Sequence, residues 1–210
     1  MTFASLVLLM QLSAKTPAVE LGPVQDCQPC KLTPKAGTEP YSFKFELRTT
    51  KDGQRSVSAI AVSSSDGKVQ QRLDVGEMEP VGPTQPFFLR NDDINSDGWG
   101  DLSLVTGTGA SNEYTHYWLF LPGTGSYKDL GIHPTLKIDR KRHRITSYET
   151  GGMAGLIHES NEYAFVGDDL VITRSEKQDL LDQSKNLFQK EIRVRKGDKL
   201  VLVKSKTIKK

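Results

Sequence analysis

The segment Tyr41-Ser-Phe-Lys-Phe-Glu-Leu47 decides the fold class, because apolar and polar residues alternate along it. This two-residue period is typical of a β-strand that buries one face. Asp52-Gly53 and Asp66-Gly67 follow, and they separate two further apolar runs at 57–62 and 69–75. Because Asp-Gly pairs favour tight turns, the sequence predicts a meander of antiparallel strands.

The later apolar runs continue this pattern to the end of the chain. Strands do not alternate with long helical segments, which argues against a parallel nucleotide-binding sheet. Residues 175–188 fit a short helix and a polar hairpin loop equally well, and Gly197-Asp198 predicts the last hairpin turn. We therefore expect an all-β fold, either an antiparallel β-sandwich or a barrel-like single domain, over residues 41–210. Further strands are predicted at 102–105, 117–121, 136–138, 144–148, 162–166, 170–173, 191–194 and 200–203.

The composition is that of a globular protein and excludes several other classes. The chain has 210 residues, of which 36% are hydrophobic and 26% are charged, and its formal net charge is +2. A chain of this length buries about 70% of its unfolded surface and needs no covalent staple. The small net charge argues against a strongly basic nucleic-acid binder. Two cysteines are too few for a Cys₄ zinc site.

The charges are distributed unevenly along the chain. Residues 189–210 hold nine Lys or Arg and two acidic residues, whereas the residues before them hold 19 basic and 24 acidic ones. One interpretation places these basic side chains on the solvated side of two strands. The other is a basic patch that attracts an acidic partner or an anionic lipid surface.

The first 40 residues differ from the rest. Residues 1–14 are largely apolar and end in small side chains, which is typical of an export signal and too short for a membrane span. A buried N-terminal strand is the alternative. Residues 15–40 contain five prolines and are predicted to form a linker. Within it, Cys27 and Cys30 form a C-x-x-C pair, for which a small structural disulfide is favoured over a redox pair because no βαβ pattern surrounds it.

The strongest motif is an acidic loop, Asp93-Ile-Asn-Ser-Asp-Gly-Trp-Gly-Asp101. It places oxygen-bearing side chains at loop positions 1, 3, 5 and 9, and Gly98 at position 6 permits a sharp turn. Ca²⁺ binds six to eight oxygen ligands, so this spacing predicts a calcium loop of the β type. An EF-hand would carry Glu at position 12, where this chain has Leu104. An acidic turn that binds no ion is the alternative. The predicted ligands are the side chains of Asp93, Asn95, Asp97 and Asp101 and the carbonyl of Trp99.

Two glycine-rich segments, 106–114 and 149–155, are candidate binding loops. Glycine lets a partner approach the backbone closely, and a cation just before the first loop would hold its base still. Plain hairpin connections are the alternative, since hairpin tips are often rich in glycine. The candidate partner-binding residues are Thr106, Gly107, Gly109, Ser111, Tyr114, Gly151 and Gly152.

The sequence contains no strong catalytic motif. The histidines show no metal-ligand spacing, and the serine-nucleophile elbow is absent. Glu149 and Glu159 are a possible pair of catalytic carboxylates, but the sequence does not fix their separation. We therefore expect a protein that is not an enzyme.

Segments 87–102 and 106–120, followed by 144–155 and 161–171, resemble calcium-containing periplasmic immunity proteins that counter lysozyme-like effectors delivered by a secretion system. That group is similar in fold to the periplasmic inhibitors of invertebrate-type lysozyme. The resemblance covers roughly residues 87–176, and its one specific motif is the acidic loop.

The resemblance implies a periplasmic or secreted β-sandwich with a bound Ca²⁺. It also implies a protein partner, a lysozyme-like glycoside hydrolase whose cleft is plugged by a glycine-rich loop, and neither nucleic-acid binding nor an integral membrane segment. Related inhibitors use a Ser-Gly loop with a nearby tyrosine, where this chain has Thr106-Gly107 and Tyr114. The alternative function is a calcium-dependent glycan-binding or adhesion module that stacks sugars on Trp99 and Trp118.

Overall fold

The computed structural model describes residues 30–109 and 111–210. The predicted signal segment, most of the linker and Cys27 lie outside these residues. Within them all regular structure is β, apart from a 3₁₀ turn at Met153–Gly155. No helix in this part of the chain is long and apolar enough to cross a membrane. The strands are β1 (Cys30–Leu32), β2 (Tyr41–Thr49), β3 (Arg55–Ser64), β4 (Gln70–Asp74), β5 (Leu89–Asp92), β6 (Asp101–Thr108), β7 (Glu113–Leu121), β8 (Ser126–Pro134), β9 (Lys137–Asp139), β10 (Arg144–Gly152), β11 (Ile157–Val166), β12 (Asp169–Asp182), β13 (Leu187–Lys196) and β14 (Lys199–Lys209).

The strands form three antiparallel sheets. The first sheet has the order β1-β2-β3-β4, the middle sheet β5-β6-β7-β8, and the third β14-β13-β12-β11-β10-β9. Every sheet therefore follows chain order, as a meander does. The predicted antiparallel sandwich is confirmed, whereas the barrel-like alternative is wrong, because none of the described sheets closes on itself.

Strand β7 shows why the sheets stack in this order. Trp118 and Phe120 pack in the hydrophobic core between the first and middle sheets. Tyr117 points the other way, into the core between the middle and third sheets. All side chains from Thr115 to Phe120 are buried. A strand covered on both faces needs no polar alternation, and β7 accordingly contains an uninterrupted apolar and aromatic run at 117–121.

The turn predictions at Asp52-Gly53, Asp66-Gly67 and Gly197-Asp198 are confirmed, because each pair joins two paired strands. The helical alternative for residues 175–188 is wrong. Leu180 pairs directly with Phe188 across β12 and β13, so these apolar residues meet across a hairpin and not along a helix face.

Three strands were not predicted from the sequence: β1, β5 and β8. β8 contains Gly131, whose φ of 84° is left-handed, and it ends at Pro134, so its sequence has the residues of a loop. β1 lies inside the predicted linker, where Cys30 and Leu32 are buried against β2. Cys30 is disulfide-bonded. Its pairing with Cys27 stays a prediction, because Cys27 lies outside the described residues.

Candidate functional site

The acidic loop joins β5 to β6 and folds around its own carboxylates. Gly98 has a φ of 85°, so the sharp turn predicted at this glycine is confirmed. The Asp93 carboxylate accepts the backbone N–H groups of Asp97 at 3.1 Å and Gly98 at 3.0 Å. Asp97 in turn accepts the N–H of Trp99 at 2.8 Å and the Asn95 amide at 2.8 Å. The side chains of the motif therefore turn toward the inside of the loop.

Asp101 closes the loop from the buried side. It is 0% exposed, and its two carboxylate oxygens accept the backbone N–H groups of Ile94 and Phe120, each at 2.8 Å. Burial raises the pKa of Asp101 to about 7, the two N–H bonds oppose this shift, and the charges of Asp97 and Asp93 add to it. A cation beside Asp101 would favour its ionised form.

The loop fits a hard cation by its donor chemistry. Its side chains offer carboxylate and amide oxygens, which suit Ca²⁺ better than zinc or copper. A carboxylate oxygen that accepts one N–H keeps a second lone pair for a metal. Nevertheless, across residues 30–109 and 111–210 no three Asp, Glu, His or Cys side chains converge into a metal-binding group. The five predicted ligands therefore remain a predicted set.

The acidic loop is clamped from outside by the segment that precedes β2. The Gly100 N–H donates to the carbonyl of Pro34 at 2.6 Å, and the amide of Asn91 donates to the Thr33 carbonyl at 3.2 Å. The Trp99 ring stacks on Phe120 with centroids 5.3 Å apart. These contacts hold the acidic loop against the core between the first and middle sheets. Asp92, one residue outside the motif, instead pairs with Arg140 at 2.5 Å on the surface.

Gly100 approaches the Asn91 side chain closely. A Cβ at this position would lie 1.8 Å from Oδ1 of Asn91. We expect Gly100→Ala to destabilise the fold by about 1 to 3 kcal/mol through overpacking. Asn91→Ala in the same chain should recover part of this loss because it removes the clashing atoms. Urea unfolding of the single and double variants measures both effects, and equal losses in the two would contradict this account.

The two glycine-rich loops lie side by side and are bonded to each other. The Asn112 side-chain amide donates to the Thr150 carbonyl at 2.9 Å, and the Thr150 N–H donates back to Asn112 Oδ1 at 2.9 Å. The Tyr114 hydroxyl donates to the Glu149 carboxylate, and this bond raises the pKa of Tyr114. We call residues 106–114 and 149–155 together the loop pair. The sequence predicts two separate candidate loops, whereas the structure joins them through these hydrogen bonds.

Glu79 braces the first loop from a distant part of the sequence. Its N–H donates to the Thr106 carbonyl at 2.8 Å, and its carboxylate accepts the Thr108 N–H at 2.8 Å. A Cβ at Gly107 would lie 3.2 Å from the Glu79 side chain, so this glycine permits a close approach. The role of Glu79 was not predicted, because no local sequence pattern connects this residue with a loop about 30 residues later.

The predicted residues of the first loop divide into internal and exposed groups. Thr106 is buried and its hydroxyl donates to the Tyr114 carbonyl at 3.3 Å. Gly109 donates its N–H to the Asn112 carbonyl at 2.8 Å and is exposed, as is Ser111. Thr106 and Tyr114 therefore support the loop, and Gly109 and Ser111 form its tip.

The second loop has an unusual left-handed tip. The φ angles of Gly152, Met153, Ala154 and Gly155 are 124°, 47°, 53° and 85°. Left-handed conformations cost about 1 kcal/mol or more for residues with a side chain, and such strain is concentrated at functional sites. Met153 is 38% exposed at this tip. A Cβ at Gly151 would lie 2.7 Å from Ile157, so this glycine permits the close return of the chain.

An aromatic pair and a groove border the loop pair. Tyr148 is exposed and stacks on His158 with ring centroids 5.5 Å apart. On the other side, a cavity of about 570 Å³ is lined by Thr106, Gly107 and Tyr114 together with residues 76–79. The loop pair therefore borders both an aromatic pair and a groove.

The structure places the residues of the two alternative functions as well. Glu149 and Glu159 are direct cross-strand partners, but Glu149 is bonded to Tyr114 and Glu159 to Asn161 and Ser175. The proposed sugar platform at Trp118 is wrong, because this side chain is 1% exposed and stacks on His116.

Comparison with known proteins gives a likeness in fold. No protein-family model matches the chain, and no curated protein matches it. A solved structure of a Xanthomonas protein, described as related to a type IV secretion system, has a TM-score of 0.52 and 15% sequence identity. The match covers 87% of this chain and 97% of that chain. At this identity the likeness shows that the two chains share a fold.

Proposed function

We propose that this chain is an exported calcium-binding protein that inhibits a lysozyme-like peptidoglycan glycoside hydrolase by inserting the loop pair in its cleft. The observation that carries the proposal is the reciprocal bonding of the two loops through Asn112 and Thr150. Loops that are already ordered lose less entropy when they bind a partner. The secretion-related description of the structural neighbour agrees with a role outside the cytoplasm.

The chemistry of such inhibition needs donors and no catalytic group. A lysozyme cleft contains a protonated carboxylic acid and an ionised carboxylate. In the loop pair, Ser111, which carries a hydroxyl donor, and residues 151–154 of the second loop are exposed. The Tyr114 hydroxyl is already committed to Glu149, so we assign this tyrosine a supporting role. Met153 would add apolar contact at the rim.

The predicted calcium site lies far from the surface that would contact the hydrolase. The acidic loop ends where β6 begins, and the tip of the first glycine-rich loop lies beyond the other end of this strand, so an eight-residue strand separates the acidic loop from that tip. At about 3.3 Å per residue, the two are roughly 23 Å apart. The base of the loop at Thr106 is five residues from Asp101 along β6, and the expectation that the cation holds this base stays a prediction. When bound, Ca²⁺ would balance the carboxylates of the acidic loop and stabilise the sandwich.

The test is inhibition of peptidoglycan lysis by a panel of lysozymes and bacterial cell-wall glycosidases. We expect Met153→Asp to weaken inhibition of the sensitive enzyme about tenfold, because it places a charge in the contact, a change of about 1.4 kcal/mol. Glu79→Ala should also weaken it by releasing Thr108.

Val166→Asp is the matched control. Val166 is 63% exposed and lies at the other end of β11 from the second loop. Inhibition that falls equally in Met153→Asp and Val166→Asp would exclude the loop pair as the contact. A chain that inhibits no member of the panel would count against the function itself.

A further inference from the structure

The third sheet ends in an open edge. β14 pairs with β13 on one side, and the described residues place no strand on its other side. It is 11 residues long, and most of its side chains are exposed. An unpaired edge presents a row of backbone N–H and C=O groups that can pair with another extended segment.

Ion pairs are frequent on β12 and β13 of the third sheet and, within the described part of the chain, are not found among the lysines of β14. Cations on β12 and β13 have acidic neighbours: Arg174 with Glu176 at 3.5 Å, Lys177 with Asp179 at 2.9 Å, Lys190 with Glu176, and Arg193 with Glu191 at 2.5 Å. No described carboxylate forms an ion pair with the lysines of β14, which are Lys199, Lys204, Lys206 and Lys209. The described ion pairs therefore involve β12 and β13, apart from Arg195 and Lys196, and do not extend to β14.

The register between β13 and β14 shows which lysines lack an acidic cross-strand partner. Lys190 lies opposite Lys206, and Ile192 lies opposite Lys204. Like charges in direct cross-strand positions are destabilising, and the neighbouring Glu176 is already engaged by Lys190 and Arg174. Lys204 and Lys206 are two residues apart and point to the same face. Acidic residues two positions apart on a further strand would complete both pairs.

We propose that β14 is a docking edge for an extended acidic segment of a partner protein, which adds to the third sheet as a seventh strand. Backbone pairing would supply affinity, and alternate Asp or Glu side chains opposite Lys204 and Lys206 would supply specificity. Val201, Leu202 and Val203 are 39%, 47% and 49% exposed and would contribute apolar contact.

Charge complementarity argues against the β14 strand of a second copy as the occupant. β14 carries four lysines and no acidic residue, so two such strands would repel each other when paired. The same lysines that prevent self-pairing select an acidic strand. The proposal does not depend on the hydrolase, because the loop pair lies on different strands from this edge.

The test is fluorescence anisotropy with the full chain and a labelled peptide of nine residues that alternates Glu with Val or Thr. We expect this peptide to bind at least tenfold more tightly than the same peptide with Lys in place of Glu. Lys204→Glu with Lys206→Glu should lose at least tenfold in affinity and gain binding of the lysine peptide. Lys51→Glu with Lys141→Glu changes the net charge equally at other surfaces and should leave binding unchanged.

Two further arms separate strand addition from simple charge attraction. An acidic peptide with alternate N-methylated amides keeps its charge but loses backbone donors, and we expect it to bind at least tenfold more weakly. Equal affinity for the methylated peptide would overturn the proposal. Three other results would also overturn it. They are no binding of the acidic peptide, tighter binding to vesicles containing anionic lipid than to the peptide, and self-association of the chain that is lost in Lys204→Glu.

Discussion

Asp101→Ala is expected to lower the free energy of unfolding by about 2 to 5 kcal/mol, because it leaves two buried backbone donors without acceptors. The N–H groups of Ile94 and Phe120 both donate to this carboxylate at 2.8 Å. Ile94 belongs to the core between the middle and third sheets, and Phe120 belongs to the core between the first and middle sheets. One side chain thus connects the acidic loop with both cores.

Urea unfolding of the purified variants measures this loss. Asp92→Ala is the matched control, because Asp92 is a neighbouring carboxylate whose only described ion pair is the surface contact with Arg140. Surface ion pairs contribute about 0 to 1 kcal/mol, so the control should unfold nearly as the parent does. Equal stabilities of the two variants would contradict the structural role assigned to Asp101.

Calcium is expected to raise the unfolding free energy by about 2.7 kcal/mol when present at 100 times its dissociation constant. For a chain of this size the corresponding rise in melting temperature is about 5 to 10 °C. The physical reason is that three carboxylates of one loop repel each other, as the effect of Asp93 and Asp97 on the pKa of Asp101 shows. Differential scanning calorimetry with and without Ca²⁺ measures the shift.

Asp97→Ala should abolish this calcium-dependent rise, since Asp97 is a predicted ligand at the exposed centre of the loop. Asp92→Ala should retain it, and isothermal titration with Ca²⁺ should show the same difference in binding. A rise that persists in Asp97→Ala, or that Mg²⁺ reproduces in full, would show that the acidic loop is not a calcium site.

Much of the fold could be predicted from the sequence because local patterns encode it. The alternation at 41–47 and the Asp-Gly turns specify the first meander, and Gly197-Asp198 specifies the last hairpin. The stacking of three sheets could not be predicted. It depends on β7, where Tyr117 and Trp118 face different cores although both look equally buried in the sequence.

The candidate site, too, could be predicted from the sequence only in part. The acidic loop is contiguous, so its spacing and the turn at Gly98 could be read directly. The loop pair depends on contacts between distant residues, such as Asn112 with Thr150 and Glu79 with Thr108. Nothing local in the sequence indicates these pairs. Residues 106–114 and 149–155 were therefore recognised as candidate loops but not as parts of one surface.

Strand β7 also limits how this protein can change in evolution. Six consecutive side chains, Thr115–Phe120, are buried between two layers. In an ordinary surface strand every second position faces water and accepts substitutions almost freely, whereas here each position must satisfy one core or the other. Accepted changes in β7 would have to come with compensating changes in an outer sheet. The loop pair and β14, which face solvent, are left as the regions in which new binding specificities can arise without loss of the fold.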